Sequence, residues 1–303
     1  MSEDRRLRAL REQLDEAGLR GSFLVRDLAT GEQVGIEPGT PYAVASIAKV
    51  PLAMAVLDRV RRGELDPAER LEVGPGVPEL QERPGPPGLG RFRHPALVAV
   101  DDLLYLAVAL SDSTAADALF RLVPPADVAS YLRETGLDGI TVRHPVAELT
   151  GTPAERLNTD EAHLALRLAI EEGTAGGGHA IAQLDTSRAS TATATALVDL
   201  LAALWTPSRV DPDVAERVRA LMGLNVLRQR LAPDFASDAA RWSSKTGTLL
   251  HQRHECGVVE HADGGVYAVA ALTESRVAAS VQPHAEATMG AVARALHDLL
   301  RAG

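Results

Sequence analysis

Residues 45–51 read Ala-Ser-Ile-Ala-Lys-Val-Pro, and this segment holds one of only two lysines in a chain of 303 residues. The other 29 of the 31 basic residues are arginine, so a lysine is exceptional in this sequence. A lysine amine can lose its proton when it is removed from water, whereas a guanidinium stays charged. Lys49 and Lys245 therefore mark the two positions where we expect the chemistry to require an amine.

Ser46 lies three residues before Lys49, at the start of a segment that we predict to be helical as far as residue 62. The N-terminus of a helix favours a developing oxyanion, and Lys49 falls on the same face one turn later. A serine hydroxyl needs a base to become a nucleophile. An amine can be that base only if its pKa falls well below about 10.4, and both burial and the nearby charge of Lys245 would lower it.

The composition indicates a globular chain, since 46% of the residues are apolar and 24% are charged. The net charge of −10 argues against binding to nucleic acid or to an anionic membrane surface. Cys256 is the single cysteine, so no disulfide can form within the chain. The N-terminus has no apolar signal region and no segment is long enough to span a bilayer, so we predict a cytoplasmic protein.

Hydrophobic periodicity predicts secondary structure along the chain. The predicted helices cover residues 3–17, 46–62, 98–108, 114–122, 126–135, 159–172, 193–204, 214–222 and 289–299. The predicted strands cover residues 22–25, 33–36, 242–250, 255–260 and 266–273. Because strands stand at both ends of the chain and helices between them, we predict an α/β domain of residues 1–45 and 236–303. An all-helical domain of residues 46–235 would be inserted into it, with the active site between the two.

Three short motifs occur in a fixed order: Ser-x-x-Lys at 46–49, Ser-Asp-Ser at 111–113 and Lys-Thr-Gly at 245–247. This set resembles that of the serine β-lactamases and penicillin-recognising hydrolases. The resemblance extends over most of the chain, and its motifs contain both lysines. It implies a class A β-lactamase-like fold, in which an antiparallel sheet is flanked by N- and C-terminal helices and carries an inserted all-helical domain.

The resemblance also implies a role for each residue of the motifs. Ser46 would form an acyl-enzyme, with Lys49 as its base, and Ser111 would relay a proton to the leaving nitrogen beside Lys245. The backbone N–H groups of Ser46 and Thr248 would form the oxyanion hole. The residues expected to bind a substrate carboxylate or to line its site are Ser113, Thr246, Gly247, Thr248 and Arg253.

Two positions depart from the family pattern. Ser113 stands where the family usually has an asparagine that holds the substrate's side-chain amide. Class A β-lactamases also carry a deacylating glutamate four residues before an asparagine, but Ala154 occupies that place before Asn158. Glu155 is one position away and is our first candidate for the deacylating base, and Glu148 is the second.

Each candidate also has an ordinary structural interpretation. Ser46 and residues 111–113 are typical of helix caps, and Lys245 to Gly247 could be a strand that ends at glycine. Arg253 could form a surface ion pair with Glu255 rather than bind substrate. His251 and His254 would point to opposite faces of a strand, so we predict no metal site and no cofactor. The order of the motifs and the two lysines favour the functional interpretation.

The sequence therefore predicts a cytoplasmic serine hydrolase that forms an acyl-enzyme on Ser46 and acts on a β-lactam or a related amide. Two alternatives remain at this point: a biosynthetic esterase or amidase, and a binding or sensing protein that is acylated but does not turn over. A DD-peptidase-like activity is less favoured, since its peptidoglycan substrate lies outside the cell. We expect a small-molecule substrate with a carboxylate, no nucleic-acid or membrane partner, and a monomer or weak dimer.

Overall fold

The computed structural model describes residues 3–77, 88–152, 161–172, 178–206, 209–237, 239–278 and 281–302. The described strands are β1 (Leu19–Asp27), β2 (Gln33–Ile36), β3 (Tyr42–Ala43), β4 (Arg70–Val73), β5 (Ala96–Ala99), β6 (Ile140–Thr141), β7 (Thr191–Ala192), β8 (Ala240–Leu249), β9 (Gln252–His261) and β10 (Val266–Ser275). The described α-helices are α1 (Glu3–Glu16), α2 (Lys49–Arg61), α3 (Val100–Ala109), α4 (Ser113–Leu122), α5 (Pro125–Glu134), α6 (Val146–Thr150), α7 (Ala162–Glu172), α8 (Ala194–Trp205), α9 (Pro212–Gly223), α10 (Ala232–Phe235) and α11 (Pro283–Arg301).

The main sheet is antiparallel and has the strand order β2-β1-β10-β9-β8. Strand β1 lies beside β10 with Leu19 opposite Ser275, so the first strand of the chain is paired with the last. The predicted hairpin of β1 and β2 and the three predicted C-terminal strands are all present. The expected sheet, built from both chain ends and flanked by terminal helices, is confirmed.

The two faces of the sheet belong to two hydrophobic cores, because alternate side chains of a strand point to opposite faces. On one face, Phe23 and Trp242 pack with residues of α1 and α11, including Met289. On the other face, Leu24 and Leu272 join the larger core of the helical region. The β-sheet is therefore covered on both sides, and β8 forms one of its edges.

Helix α2 runs through the middle of the helical region and is buried on all sides. Every residue from Lys49 to Asp58 is buried, and α2 packs against α3, α4, α5 and α9. A helix that is apolar around its whole circumference belongs in the interior of a domain. Lys49, the first residue of this helix, is therefore fixed in position by the core around it.

The structure corrects three of the expected element boundaries. The helix predicted from residue 46 starts as a 3-10 turn, Ala45–Ala48, and becomes α-helical only at Lys49. The helix predicted from residue 98 starts at Val100, because the preceding residues form β5 and pair with β4. The helix predicted over 159–172 is seen from Ala162, and residues 159–160 lie outside the described part of the chain.

The small sheets β3-β7-β6 and β4-β5 were not predicted. Strands of two to four residues are too short to show a period that a sequence can reveal. Among the described residues, no helix is both long enough and apolar enough to cross a membrane.

The tight packing of the sheet around Gly257 in β9 can be tested by substitution of this glycine. A Cβ atom at this position would lie 2.4 Å from the carbonyl oxygen of Ser243 and 2.7 Å from Cβ of Ser244. We expect Gly257→Ala to lower the free energy of unfolding by about 1–3 kcal/mol through overpacking, measured by urea denaturation. Gly39→Ala is the control, because a Cβ there meets nothing within 4 Å. If the two variants were equally stable, the tight packing around Gly257 would be contradicted.

Candidate active site

Ser46 lies in the 3-10 turn that leads into α2. It is partly exposed, whereas Ala45, Ile47 and Ala48 of the same turn are buried. Ala45 has φ of 49°, a left-handed conformation that costs free energy in a residue other than glycine. The surrounding core thus forces the backbone to present Ser46 on the open side of the turn.

Lys49 is completely buried, and its ammonium group is directed at residues 111–113. Its Nζ donates to the backbone oxygen of Ser111 at 2.5 Å and is 3.4 Å from the hydroxyl oxygens of both Ser111 and Ser113. Burial lowers the pKa of Lys49 from 10.5 to about 8, although the charges of Asp112 and Asp117 oppose the shift. A measurable fraction of Lys49 is therefore an unprotonated amine near neutral pH.

Lys245 is also completely buried and approaches the same serine from strand β8. Its Nζ donates to the hydroxyl of Ser111 at 2.9 Å and to the carbonyl oxygen of Thr246 at 2.8 Å. Burial holds the pKa of Lys245 well below its usual value, and the charge of Lys49 lowers it further. The only two lysines of the chain thus meet at one hydroxyl group.

Residues 111–113 are both a helix cap and a part of the site. Asp112 is the N-cap of α4 and accepts hydrogen bonds from the backbone N–H groups of Ala115 at 2.8 Å and Leu89 at 2.6 Å. Ser111 has φ of 61° and lies just before the cap, outside α4. Asp112 therefore caps the helix, while its neighbours Ser111 and Ser113 face the two lysines.

Gly247 lets strand β8 approach the turn that contains Ser46. A Cβ atom at this position would lie 2.8 Å from the carbonyl oxygen of Val44 and 3.3 Å from a side-chain atom of Ile47. Only glycine permits such a close approach of two backbone segments. The strand residues that follow Lys245 are therefore held against Ser46, which is the arrangement that the predicted oxyanion hole of Ser46 and Thr248 requires.

Arg230 is a site residue that the sequence did not reveal. Its side chain is buried and donates to the carbonyl oxygens of Gly247 at 2.8 Å and His254 at 2.7 Å. It also donates to the hydroxyl of Thr248 at 2.7 Å and pairs with Glu286 at 2.9 Å. Arg230 lies in an irregular segment between α9 and α10. Because the chain has 29 arginines and no motif includes this one, the sequence did not distinguish it.

Arg253, which we had expected to bind the carboxylate, has a different set of contacts. It stands opposite Thr248 across the β8–β9 pair, and its guanidinium donates to the carbonyl oxygens of Leu250 at 2.6 Å and Gln252 at 2.8 Å. The guanidinium that donates to the Thr248 hydroxyl is that of Arg230. A role of Arg253 in binding substrate stays a prediction.

Glu255 pairs with Thr246 across β8 and β9, on the face of the sheet opposite to the side chain of Lys245. It is fully buried and accepts hydrogen bonds from Trp242 at 2.9 Å, from the Ser244 hydroxyl at 2.7 Å and from the backbone N–H of Leu231 at 2.8 Å. Three donors satisfy most of the hydrogen-bonding capacity of the carboxylate. This contact ties the segment that carries Arg230 to strand β8, and it replaces the surface ion pair that we had considered for Glu255.

The remaining predicted residues have distinct environments. The Thr246 hydroxyl is buried and has no hydrogen-bond partner among the described residues, whereas Thr248 is exposed. Glu155 lies outside the described residues. Glu148 is exposed on α6, a helix that packs against the 3-10 turn of Ser46.

The histidines near the site have structural contacts. His254 donates to the carbonyl oxygen of Ala43 at 2.9 Å and accepts from the backbone N–H of Thr273 at 3.1 Å. Burial lowers the pKa of His254 to about 3. His251 lies in the turn before β9, with Nε2 at 3.6 Å from a carboxylate oxygen of Glu274. Within the described part of the chain, no group of three or more potential ligands could hold a metal ion.

The chain is similar to known proteins over nearly its whole length. The model of the β-lactamase enzyme family matches residues 5–300. The β-lactamase regulatory protein BlaB of Streptomyces cacaoi is 59% identical over 306 residues, covering 97% of each chain. A β-lactamase from Sphaerobacter thermophilus has a TM-score of 0.76 at 19% identity and covers 98% of this chain and 97% of its own. A mutant of PBP-A, solved as an acyl-enzyme complex with penicillin G, has a TM-score of 0.76 at 16% identity over 99% of this chain and 98% of its own. The predicted class A β-lactamase-like fold is confirmed.

The shared contact of the two lysines can be tested with a pair of serine variants. Ser111→Ala removes the hydroxyl that accepts from Lys245 at 2.9 Å, and a buried donor that loses its partner costs about 1–3 kcal/mol. Ser113→Ala is the matched control, because its hydroxyl is 3.4 Å from Lys49 and only partly buried. We expect Ser111→Ala to lower the free energy of unfolding at pH 7 by clearly more than Ser113→Ala does, measured by urea denaturation. Equal losses would show that the Ser111 hydroxyl is not the shared acceptor.

Proposed function

Since the chain belongs to the β-lactamase enzyme family, we propose that it is a regulatory protein whose Ser46 accepts an acyl group and releases it slowly. The acyl donor is a β-lactam or a related amide, and occupation of the site controls the production of a β-lactamase. The family resemblance inferred from the three motifs is confirmed, and a serine hydrolase-like site follows from it. The regulatory role, the acyl donor and the rate of release are the proposed part.

The convergence of two buried amines on Ser111 is the observation that carries this proposal. Lys49 directly follows the turn that holds Ser46, and its pKa of about 8 lets it act as a base near neutral pH. Lys245 places a second amine on the other side of the Ser111 hydroxyl. A purely structural site would gain nothing from two buried amines, because burial of an ammonium group costs free energy.

The acylation step follows from these positions. The Ser46 oxygen attacks the carbonyl carbon of the amide, and its proton passes to the unprotonated amine of Lys49. The C–N bond of the tetrahedral intermediate then breaks, and the leaving nitrogen takes a proton through the hydroxyl of Ser111. The proton that reaches the nitrogen is the one that Lys49 accepted, so no proton is lost or gained overall, and Ser46 ends as an ester. In a β-lactam the nitrogen stays attached to the acyl group through the opened ring, whereas a linear amide releases its amine.

The donors near Thr248 support a ligand with a carboxylate. Arg230 contributes a buried guanidinium that donates to the Thr248 hydroxyl at 2.7 Å, and Thr248 itself is exposed. The Thr246 hydroxyl is buried and unpaired among the described residues. A guanidinium beside two hydroxyls suits a carboxylate.

Two observations favour slow release of the acyl group over rapid hydrolysis. Ala154 occupies the position four residues before Asn158 where the family pattern places a deacylating glutamate. The 59% identical relative, which the chain matches over nearly its whole length, is named a regulatory protein. Glu148 favours the second candidate, a working hydrolase, because its helix packs against the turn of Ser46. A cytoplasmic location remains part of the proposal and would suit control of gene expression.

Intact mass spectrometry tests the acylation directly. After incubation with penicillin G at pH 8, we expect the protein to gain the mass of one penicillin and to keep it for minutes or longer. Ser46→Ala should show no adduct, and Lys49→Met should acylate about a hundred-fold or more slowly, because it lacks the base. Ser237→Ala, an exposed serine outside the site, should behave like the wild type.

The same experiment distinguishes the candidate functions. Rapid loss of the adduct together with steady hydrolysis of a chromogenic cephalosporin would contradict slow release and favour a working hydrolase. If the wild type forms no adduct, the same incubation with activated esters and small amides decides whether Ser46 accepts another acyl group. Absence of every adduct would contradict acylation at Ser46.

The regulatory role can be tested in the strain that encodes the chain. Deletion of the gene should reduce several-fold the β-lactamase activity that appears after addition of a penicillin, measured with a chromogenic cephalosporin. A wild-type copy or a Gly39→Ala copy should restore the activity, and a Ser46→Ala copy should not. Unchanged activity in the deletion strain would contradict the regulatory role.

A further inference from the structure

His254 is a fully buried side chain that links the main sheet to the segment leading to Ser46. It lies in strand β9, and none of its surface is exposed. Its Nε2 atom is 2.9 Å from the carbonyl oxygen of Ala43, and its Nδ1 atom accepts from the backbone N–H of Thr273 at 3.1 Å. Thr273 belongs to the neighbouring strand β10, whereas Ala43 lies in the short strand β3, three residues before Ser46. One imidazole ring therefore joins two parts of the fold.

The two contacts of the ring determine where its proton lies. Because Nδ1 accepts from the N–H of Thr273, it carries no proton. The proton of the neutral ring is then on Nε2, which donates it to the carbonyl oxygen of Ala43. Burial, together with the charge of Arg230, lowers the pKa of His254 to about 3, so the ring is neutral near pH 7.

Strand β3 benefits from this contact because it is short and lies at the edge of a small sheet. It consists of Tyr42 and Ala43 and pairs with β7 in the order β3-β7-β6. Ala45, two residues further on, has the left-handed φ of 49°. Strained backbone of this kind persists only where the surrounding structure holds it. The ring of His254 supplies such a hold, since it donates to Ala43 and packs edge-on against Tyr42 with ring centroids 5.8 Å apart.

His254 also lies beside the part of strand β8 that approaches Ser46. It is the cross-strand partner of Gly247, the residue at which β8 lies against Val44. Arg230 donates to the backbone carbonyl oxygens of both Gly247 and His254, at 2.8 Å and 2.7 Å. The backbone of His254 is thus bound to Arg230, while its side chain holds the segment before Ser46.

We propose that His254 is a positioning residue for acylation, because its hydrogen bond to Ala43 holds the turn of Ser46 where the predicted oxyanion hole requires it. The two N–H donors of that hole, those of Ser46 and Thr248, stabilise the intermediate only when both are close to one oxygen atom. His254 touches no reacting atom and acts through the backbone of residues 43–46. The effect on the turn is independent of any substrate, whereas the effect on acylation rests on the proposed function.

Two substitutions separate the two hydrogen bonds of the ring. The amide nitrogen of glutamine is as many bonds from Cβ as Nε2, so His254→Gln can still donate to Ala43. The amide oxygen of asparagine is as many bonds from Cβ as Nδ1, so His254→Asn can still accept from Thr273 but does not reach Ala43. Each variant leaves one buried backbone group without its partner, so we expect similar losses of stability in urea denaturation. A difference between them at the turn of Ser46 therefore reports the contact with Ala43.

Amide hydrogen exchange measures how firmly the turn is held in the absence of substrate. The N–H of Ile47 donates to the carbonyl oxygen of Val44 within the turn, at 3.0 Å. In His254→Asn this N–H should exchange about ten-fold faster than in the wild type or more, because the turn opens more often. In His254→Gln, and in His284→Asn as a control at an exposed histidine, the rate should stay within about three-fold of the wild type. Equal exchange in His254→Asn and the wild type would overturn the proposal.

The rate of acylation by penicillin G gives the second readout. His254→Asn should form the acyl-enzyme about ten-fold more slowly than the wild type or worse, because a small displacement of the reacting groups is costly. His254→Gln should stay within about three-fold of the wild type, although it also loses one buried contact. Equal rates in the two variants would overturn the link to acylation. If the wild type gives no adduct, the proposed acylation fails, and hydrogen exchange still decides whether His254 holds the turn.

A measurement on the wild type covers the case in which a variant does not fold. In protein labelled with nitrogen-15 in its histidines, the signals of His254 are assigned through the backbone resonances of β9. Near pH 7 we expect the neutral tautomer that carries its proton on Nε2. A ring that carries its proton on Nδ1 would overturn the proposal, because its Nε2 could not donate to Ala43.

Discussion

Two buried lysine side chains that share one hydroxyl are the constraint on which this structure depends. Lys49 and Lys245 are both fully buried, and both reach Ser111. Burial and mutual repulsion make this arrangement unfavourable, so it persists only because the surrounding structure holds it. Burial lowers the pKa of both amines, and the charge of Lys49 lowers that of Lys245 further. The fold and the chemistry of the site thus require the same contacts.

The surrounding backbone is held firmly enough to maintain this arrangement. Ala45 and Ser111, one on each side of the site, have left-handed backbones that are unfavourable for residues with a side chain. Helix α2 is buried on all sides, and Gly247 lets β8 lie against the turn of Ser46. Strain in two short segments is therefore offset by the packing of long ones, which places Ser46 and Ser111 where a regular helix could not.

The sequence revealed the residues whose chemistry is unusual and missed those whose role arises from tertiary contacts. Two lysines among 29 arginines located Lys49 and Lys245, and alternation located the long strands. Arg230 escaped notice because an arginine in an irregular segment is common, and only the folded chain places it beside Thr248. The 3-10 turn and the short strands escaped because they span too few residues for a period.

The order of strands in the main sheet also has a consequence for synthesis on the ribosome. Strand β1 emerges first, but its neighbour β10 is translated almost last, and β8 follows the entire helical region. Lys245 therefore cannot reach Ser111 until nearly all of the chain has been made. Pairing of such distant segments is slow, because the loop between them must be closed before any contact compensates for its lost entropy. The nascent chain thus carries Ser46 and Lys49 long before the contact between Lys245 and Ser111 can form.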